Sequence, residues 1–293
     1  KSFTALLTTL LDREGTVSLD ASLADLFPDV AFDPAIEADA VTVRHLLAHT
    51  SGVSNGPIGF RAAYTGQHTP ALMRRLLAAT GGNEEGPWQA LLADRLFRPL
   101  GLTRTTAYAS EAAGWGPAVP YAPTPEGGAE RIALVKHDDT MQAAGGMLSS
   151  ATDLARWLAL HLGHGRLDGR QRVPANVIAE AHRPVATDRG DSYGVFDRDG
   201  YALGWQTGTY DGDAMLHHFG GFPGFHTHLS FMPERDLGVV VLANEARFGG
   251  RLASLLATFA YDWWHASSAD ADAVVARTRA ARDSLAVDMD AAL

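Results

Sequence analysis

Residues 214–245 constrain the fold of this chain more than any other stretch, because they read as three consecutive β-strands. Residues 214–219 and 225–232 are β-branched, aromatic or alternating, as strands are. The segment between them predicts a turn directly after His218, since it contains Gly220, Gly221, Pro223 and Gly224. Residues 238–242 are apolar on both faces, which predicts a central strand that is covered on both sides.

Helical patterns surround this strand-rich stretch. Residues 1–13 place Phe3, Leu6, Leu7 and Leu11 on one face at the spacing of an amphipathic helix. Similar patterns predict helices at 43–49, 70–79, 87–97, 154–162, 175–182 and 251–265. Pro99 is expected to stop the helix at 87–97, residues 108–128 read as a long loop, and residues 201–207 read as a further strand.

The order of these elements predicts an α/β fold of the α+β type. An antiparallel sheet would be flanked by the N- and C-terminal helices, with a mostly helical region inserted between its parts. We expect residues 1–20 and 190–266 to form the sheet with its terminal helices, and residues 21–189 to form a mostly helical subdomain with long loops. Residues 267–293 would be a C-terminal tail, either a solvated helix or partly disordered.

Composition narrows the class of partner. The formal net charge of the 293 residues is -10, which argues against nucleic acid or an anionic membrane, because both bind basic surfaces. A small-molecule substrate is therefore expected. The sequence contains no run of about 18 apolar residues, so we expect no transmembrane segment. The sequence contains no cysteine, which removes disulfides and cysteine-ligated zinc sites.

A G-x-S-x-G pattern occurs at residues 52–56 and contains Ser54. In an α/β-hydrolase this pattern forms a nucleophile elbow between a strand and a helix. Here the preceding residues predict a helix and Pro57 follows, which favours a polar loop and leaves the α/β-hydrolase as an alternative.

Two histidine pairs have a spacing that metal ligands use. His45 and His49 would share one helix face, and His226 and His228 would share one side of a strand. No carboxylate joins either pair at ligand spacing, so we predict neither a metal nor another cofactor.

His218 and the glycines after it form the most informative candidate for a ligand-binding site. A polar side chain at the end of an inner strand, followed by two glycines, leaves backbone N–H groups open to a ligand, as an oxyanion hole requires. The alternative is a histidine in a glycine-rich hairpin turn.

Several stretches together resemble the serine hydrolases that share the penicillin-binding-protein and class C β-lactamase fold. After Lys1, which matches the lysine of the S-x-x-K motif, they occur in the order of that family: RHLLAHTSGV, RLFRPLGLTRT, AAGGMLSSATDLARWL, YALGWQTG and HHFGGFPGFHTHLSFMPERDLGVVVLANE. The resemblance implies hydrolysis of a small ester or amide through an acyl-enzyme, as in esterases, D-peptidases and β-lactamases. It also favours a periplasmic or extracellular location.

The same resemblance implies roles for individual residues. Lys1 would help to activate the nucleophilic serine, and His218 would begin the third motif, K-T-G or H-x-G. Gly221 would donate its backbone N–H to the oxyanion. The substrate-binding edge would comprise Phe219, Gly220 and Phe222.

Two parts of the family pattern have no counterpart in this sequence. The nucleophile would lie three residues before Lys1, so we expect the sequence to be a fragment at its front. No tyrosine has asparagine two places later, so the Y-x-N motif is missing as well. Three explanations for the missing motifs remain open. The sequence omits segments of the protein, the gene is truncated and internally deleted, or the protein is a non-catalytic binding protein of the same fold.

Overall fold

The computed structural model describes residues 1–32, 36–52, 88–133, 136–138 and 140–292. Its helices are α1 (Ser2–Arg13), α2 (Leu23–Leu26), α3 (Val43–Leu47), α4 (Trp88–Leu92), α5 (Arg98–Leu100), α6 (Ala109–Ala113), α7 (Gln142–Gly145), α8 (Ala151–Leu162), α9 (Ala175–His182), α10 (Gly249–His265) and α11 (Ala271–Ala292). Its strands are β1 (Tyr121–Pro123), β2 (Ala129–Arg131), β3 (Arg166–Leu167), β4 (Arg170–Gln171), β5 (Ala186–Tyr193), β6 (Phe196–Tyr201), β7 (Gln206–Tyr210), β8 (Asp213–Phe222), β9 (Phe225–Met232) and β10 (Leu237–Ala243).

A six-stranded antiparallel sheet is the central layer of the described residues. Its spatial order is β10-β9-β8-β7-β6-β5, so each strand pairs with its neighbour in the sequence. The predicted α+β class, with an antiparallel sheet and terminal helices, is confirmed. The division into two subdomains and a tail stays a prediction.

The sheet has a hydrophobic core on each face. The larger core contains side chains of α1, α8 and α9, and within it the Phe3 ring stacks on Trp157 at a centroid distance of 3.8 Å. The smaller core lies under α10 and comprises Phe196, Met215, Met232, Ala257 and Tyr261. The helical patterns at 1–13 and 175–182 are confirmed by α1 and α9.

The predicted turn directly after His218 is wrong, because β8 continues through Gly220 and Gly221 to Phe222. The reversal needs only Pro223 and Gly224, and Gly224 takes the left-handed φ of +82°. Gly220 instead permits a close approach within the sheet, since a Cβ there would meet the Thr227 hydroxyl at 2.5 Å.

The predicted strand at 201–207 is also wrong. Tyr201 ends β6 and Gln206 begins β7, with a reversal between them at Gly204, whose φ is +72°. A Cβ on Gly204 would lie 3.0 Å from the carbonyl of Lys1, so this turn packs directly against the start of α1.

The apolar run at 238–242 predicts a central strand, but β10 is at the edge of the six-stranded sheet as described. Val240 faces the larger core and Val239 and Val241 face the smaller one. Helices on both faces explain the apolar residues, and covered faces carry no information about lateral neighbours.

Two further expectations differ in detail. Pro99 does not end its helix, because the π-helical residues Ala93–Phe97 join α4 to α5 without a break; Gly101 ends the helix at a φ of +68°. The predicted loop at 108–128 contains α6 and β1. In the C-terminal tail, residues 271–292 form α11, which is one of the two states expected there. The predicted helix at 70–79 and Ser54 lie outside the described residues. No helix among the described residues is long and apolar enough to span a membrane.

Candidate active site

His218 lies where β8 extends beyond its neighbour β7. The last pair between these strands is Gln206 with His217, whereas β8 remains paired with β9 as far as Phe222. The β8–β9 hairpin turns over two residues, so its closing pair is hydrogen-bonded and the bonding direction alternates from there. The backbone groups of Phe219 and Gly221 therefore point away from β9, towards the edge that β7 leaves open.

Both ring nitrogens of His218 have partners. Nδ1 lies 2.8 Å from the carbonyl oxygen of Phe219, and Nε2 lies 2.9 Å from the hydroxyl of Tyr201. A carbonyl oxygen only accepts, so Nδ1 carries the proton and the Tyr201 hydroxyl donates to Nε2. Burial, assisted by the nearby charge of Lys1, lowers the pKa of His218 well below 6.5 and keeps the imidazole neutral.

Tyr201 is itself held in place by its surroundings. Its side chain is 2% exposed, and its ring lies 4.9 Å from that of His49 at an angle of 32°. His49 follows α3 with a left-handed φ of 59°, which costs free energy for a residue with a Cβ. The rings of His49, Tyr201 and His218 thus form one array along the cleft.

Lys1 reaches the same cleft from the start of α1. Its Nζ donates to the carbonyl oxygen of Ala144 at 2.9 Å, and burial lowers the pKa of its ammonium to about 8. The Lys1 carbonyl accepts from the N–H of Ala5 at 2.9 Å, which fixes the first turn of the helix.

Helix α7 presents three consecutive carbonyl groups to side chains of the cleft. Ala143 accepts from the hydroxyl of Thr4 at 3.0 Å, Ala144 accepts from Lys1, and Gly145 accepts from Nζ of Lys136 at 2.6 Å. The second lysine also lies over the ring of Phe222, 4.8 Å from its centroid.

The structure brings together some of the predicted site residues and separates one. Lys1 and His218 lie in one cleft, and alternation along β8 places Gly220 and Phe222 on the same sheet face as His218. The ring of Phe219 lies on the opposite face, 4.3 Å from Tyr193 and 4.7 Å from His228 between centroids. Only the backbone of Phe219 can reach a ligand in the cleft.

The histidine pairs considered as metal ligands have other partners. His45 Nδ1 accepts from the N–H of Thr42 at 3.2 Å, whereas His49 stacks on Tyr201. His226 Nε2 lies 3.3 Å from the carbonyl oxygen of Ala246, and His228 bonds to a buried serine hydroxyl. Within the described ranges, no group of three His, Asp or Glu side chains is placed to hold a metal.

Three cleft residues were not identified from the sequence: His49, Tyr201 and Lys136. Tyr201 opens the YALGWQTG stretch, but nothing in that stretch indicates a bond to His218. Lys136 is one of only two lysines among the 24 basic residues, which is the signal that could have drawn attention to it.

The fold and the cleft together define the class of protein to which this chain belongs. A helix that begins at a buried lysine, facing the open edge of an antiparallel strand that carries H-x-G, is the arrangement of the β-lactamase and transpeptidase fold. The chain belongs to the beta-lactamase family, whose sequence model matches residues 1–258.

Curated relatives agree with this assignment. Penicillin-binding protein 4 of Amycolatopsis lactamdurans is 26% identical over 272 residues, which cover 83% of this chain and 70% of that protein. An unguisins hydrolase of Aspergillus campestris is 22% identical over 259 residues, which cover 71% of this chain and 43% of that enzyme. The present chain thus spans less than half of the fungal relative.

Solved structures show the same fold. The octameric penicillin-binding protein homologue from Pyrococcus abyssi matches with a TM-score of 0.69 and 21% identity, over 90% of this chain and 64% of that one. A D-stereospecific amidohydrolase from Streptomyces sp. matches with a TM-score of 0.67 and 20% identity, over 88% of this chain and 83% of that one.

Proposed function

We propose that this protein is a serine hydrolase that cleaves a small ester or amide through an acyl-enzyme. The observation that carries the proposal is the buried amine of Lys1 in one cleft with the open backbone edge at Gly221. Relatives named as hydrolase and D-stereospecific amidohydrolase support the same general chemistry.

The amine of Lys1 suits the role of a base. With its pKa at about 8, roughly one molecule in ten carries a neutral amine at pH 7. In the family pattern the nucleophilic serine is one helical turn before this lysine. The neutral amine takes the serine proton while the serine oxygen bonds to the acyl carbon, and the proton then passes to the departing alkoxide or amine. Water hydrolyses the resulting ester and restores the serine.

Gly221 supplies an N–H group to the negative charge that develops on the acyl oxygen. Its N–H points to the open edge, and such donors stabilise the tetrahedral intermediate in each step. No Cβ narrows the strand at this position, where the nearest atom to an added Cβ would be 4.0 Å away.

His218 lines the cleft as a neutral hydrogen-bonding group and not as a cation. Its Nδ1 proton and its Nε2 lone pair are both used by protein partners. A substrate group that needs a cation at this strand position would find none there.

Labelling with a fluorophosphonate tests the proposal on protein expressed from the complete reading frame. We expect covalent labelling of a single serine, identified by peptide mapping, and loss of labelling when that serine is changed to alanine. A lack of labelling in folded protein, together with no turnover of p-nitrophenyl esters, would favour the non-catalytic binding protein.

A matched pair of variants tests the role of Gly221. Gly221→Pro removes the N–H, whereas Gly221→Ala keeps it and adds a Cβ for which there is space. We expect Gly221→Pro to lower kcat about 10²- to 10³-fold, the usual effect of losing an oxyanion donor, with little change for Gly221→Ala. Equal activity of the two variants would contradict this role.

A further inference from the structure

Lys136 differs from the other cations of the chain in its surroundings. Arginines make the ion pairs with carboxylates in the described residues, for example Arg44 with Asp20 and Arg156 with Asp168. No carboxylate of the described residues lies within ion-pair distance of Lys136. Its ammonium contacts a carbonyl oxygen and an aromatic ring instead.

The position of Lys136 places this ammonium at the candidate active site. Its hydrogen-bond acceptor, Gly145, is adjacent in the chain to Ala144, which accepts from Lys1. The ring below it belongs to Phe222, one residue beyond Gly221 on the sheet face of His218. An ammonium has three N–H donors, and the carbonyl of Gly145 takes one of them.

The charge of this group has a further consequence. Burial lowers the pKa of Lys136 to about 8, so most molecules still carry the ammonium at pH 7. A partly buried cation destabilises the protein where no counter-charge lies beside it, and the described residues supply none to Lys136. An anion bound in the cleft would offset that cost, and cations are available there although the chain as a whole carries a net charge of -10.

We propose that Lys136 determines substrate specificity by binding a carboxylate of the substrate. The inference rests on the proposed function, since it assigns a substrate class to the same cleft. The carboxylate pairs with the Lys136 ammonium above the ring of Phe222, while the reacting carbonyl lies between Lys1 and Gly221. The competing role is purely structural, in which Lys136 caps the carbonyl end of α7.

Two pairs of esters distinguish these roles, one for each side of the scissile bond. Mono-p-nitrophenyl adipate and p-nitrophenyl hexanoate differ by a carboxylate in the acyl part. The second pair, 4-acetoxybenzoate and its methyl ester, differ by a carboxylate in the leaving group. The quantity measured for each pair is the ratio of kcat/KM for the charged ester to kcat/KM for the neutral one.

We expect Lys136→Met to lower this ratio about ten- to a hundredfold for at least one pair, the usual effect of losing a charge-assisted hydrogen bond. Lys136→Arg should keep most of the preference. Arg279→Met removes the same charge from the exposed face of α11 and should leave both ratios unchanged.

Unchanged ratios in both pairs, or an equal loss for charged and neutral esters, would overturn the proposal and leave the capping role. Thermal unfolding establishes that Lys136→Met folds, and Lys136→Gln serves as a second uncharged variant. If the unchanged protein hydrolyses none of the four esters, fluorophosphonate labelling decides the proposed function separately. Titration calorimetry with adipate and 4-hydroxybenzoate then tests the carboxylate site: weaker binding by Lys136→Met supports it, and equal binding overturns it.

Discussion

A buried histidine pair should make the stability of this protein depend on pH in a measurable way. His161 Nδ1 lies 2.8 Å from His182 Nε2, and the His161 ring also contacts Trp157 and Trp205 in the larger core. Burial lowers the pKa of His182 to about 4 and the pKa of His161 well below 6.5. Both imidazoles are therefore neutral in the folded protein at pH 7.

The pKa values give the direction and size of the effect. Unfolding returns His182 to the ordinary histidine pKa of about 6.5, so the unfolded chain binds a proton that the folded protein excludes. The stabilisation is complete above pH 6.5 and is lost as the pH falls towards 4. Between pH 7 and pH 5, a folded pKa of about 4 predicts a loss of about 2 kcal/mol from His182 alone.

Urea unfolding at pH 7, 6 and 5 measures this contribution. His182→Gln keeps an amide that can bond to His161 but cannot titrate, so its free energy of unfolding should fall about 2 kcal/mol less over this range. The contributions of histidines that do not contact His182 cancel in the comparison. His265→Gln, at an exposed position, serves as the control and should follow the unchanged protein. Parallel curves for His182→Gln and the unchanged protein would refute the reasoning.

Three further changes test individual contacts. Tyr201→Phe removes the hydroxyl that donates to His218. It should lower the free energy of unfolding by about 1 kcal/mol, or Tm by about 2–4 °C. The 15N NMR spectrum of His218 should show loss of the single Nδ1-protonated form, and an unaltered imidazole spectrum would contradict the bond. Gly208→Ala places a Cβ against the carbonyl oxygen of Asp197 across β6 and β7, and should cost about 1–3 kcal/mol in urea unfolding; full stability would disprove the close approach. Ser230→Ala leaves unpaired the buried imidazole of His228 and phenol of Tyr261 that its hydroxyl joins at 2.6 and 2.7 Å, and should cost about 1–3 kcal/mol in the same assay; unchanged stability would contradict this bridging role.

Periodicity identified the elements whose two faces differ. The apolar residues of α8 and α9 lie on one buried side of each helix, and both helices occur where their patterns predict them. The positions of glycines predicted the turns less well. Gly220 lies in an extended strand that its neighbour approaches closely, whereas Gly224 turns the chain, and composition does not distinguish these uses.

The candidate site was predictable only in part, for a related reason. Motif order pointed to Lys1 and His218, and these side chains do lie in one cleft. The partner of His218 is Tyr201, which lies 17 positions earlier, and that bond depends on how β6 and β8 are spaced across the sheet. The ring of Phe219 points away because side chains alternate along a strand, a consequence that holds only once β8 is known to continue past His218.

The connectivity of the sheet has a consequence for how the protein folds. Every strand from β5 to β10 pairs with its sequence neighbour, so the sheet requires only short loop closures. The bond from Lys1 to Ala144, by contrast, closes 143 residues. Chain entropy therefore favours early formation of the hairpins and late docking of the N-terminal helix. Lys1 would be among the last groups to reach its place, so recovery of an activity that depends on Lys1 would report completed folding better than recovery of strand structure does.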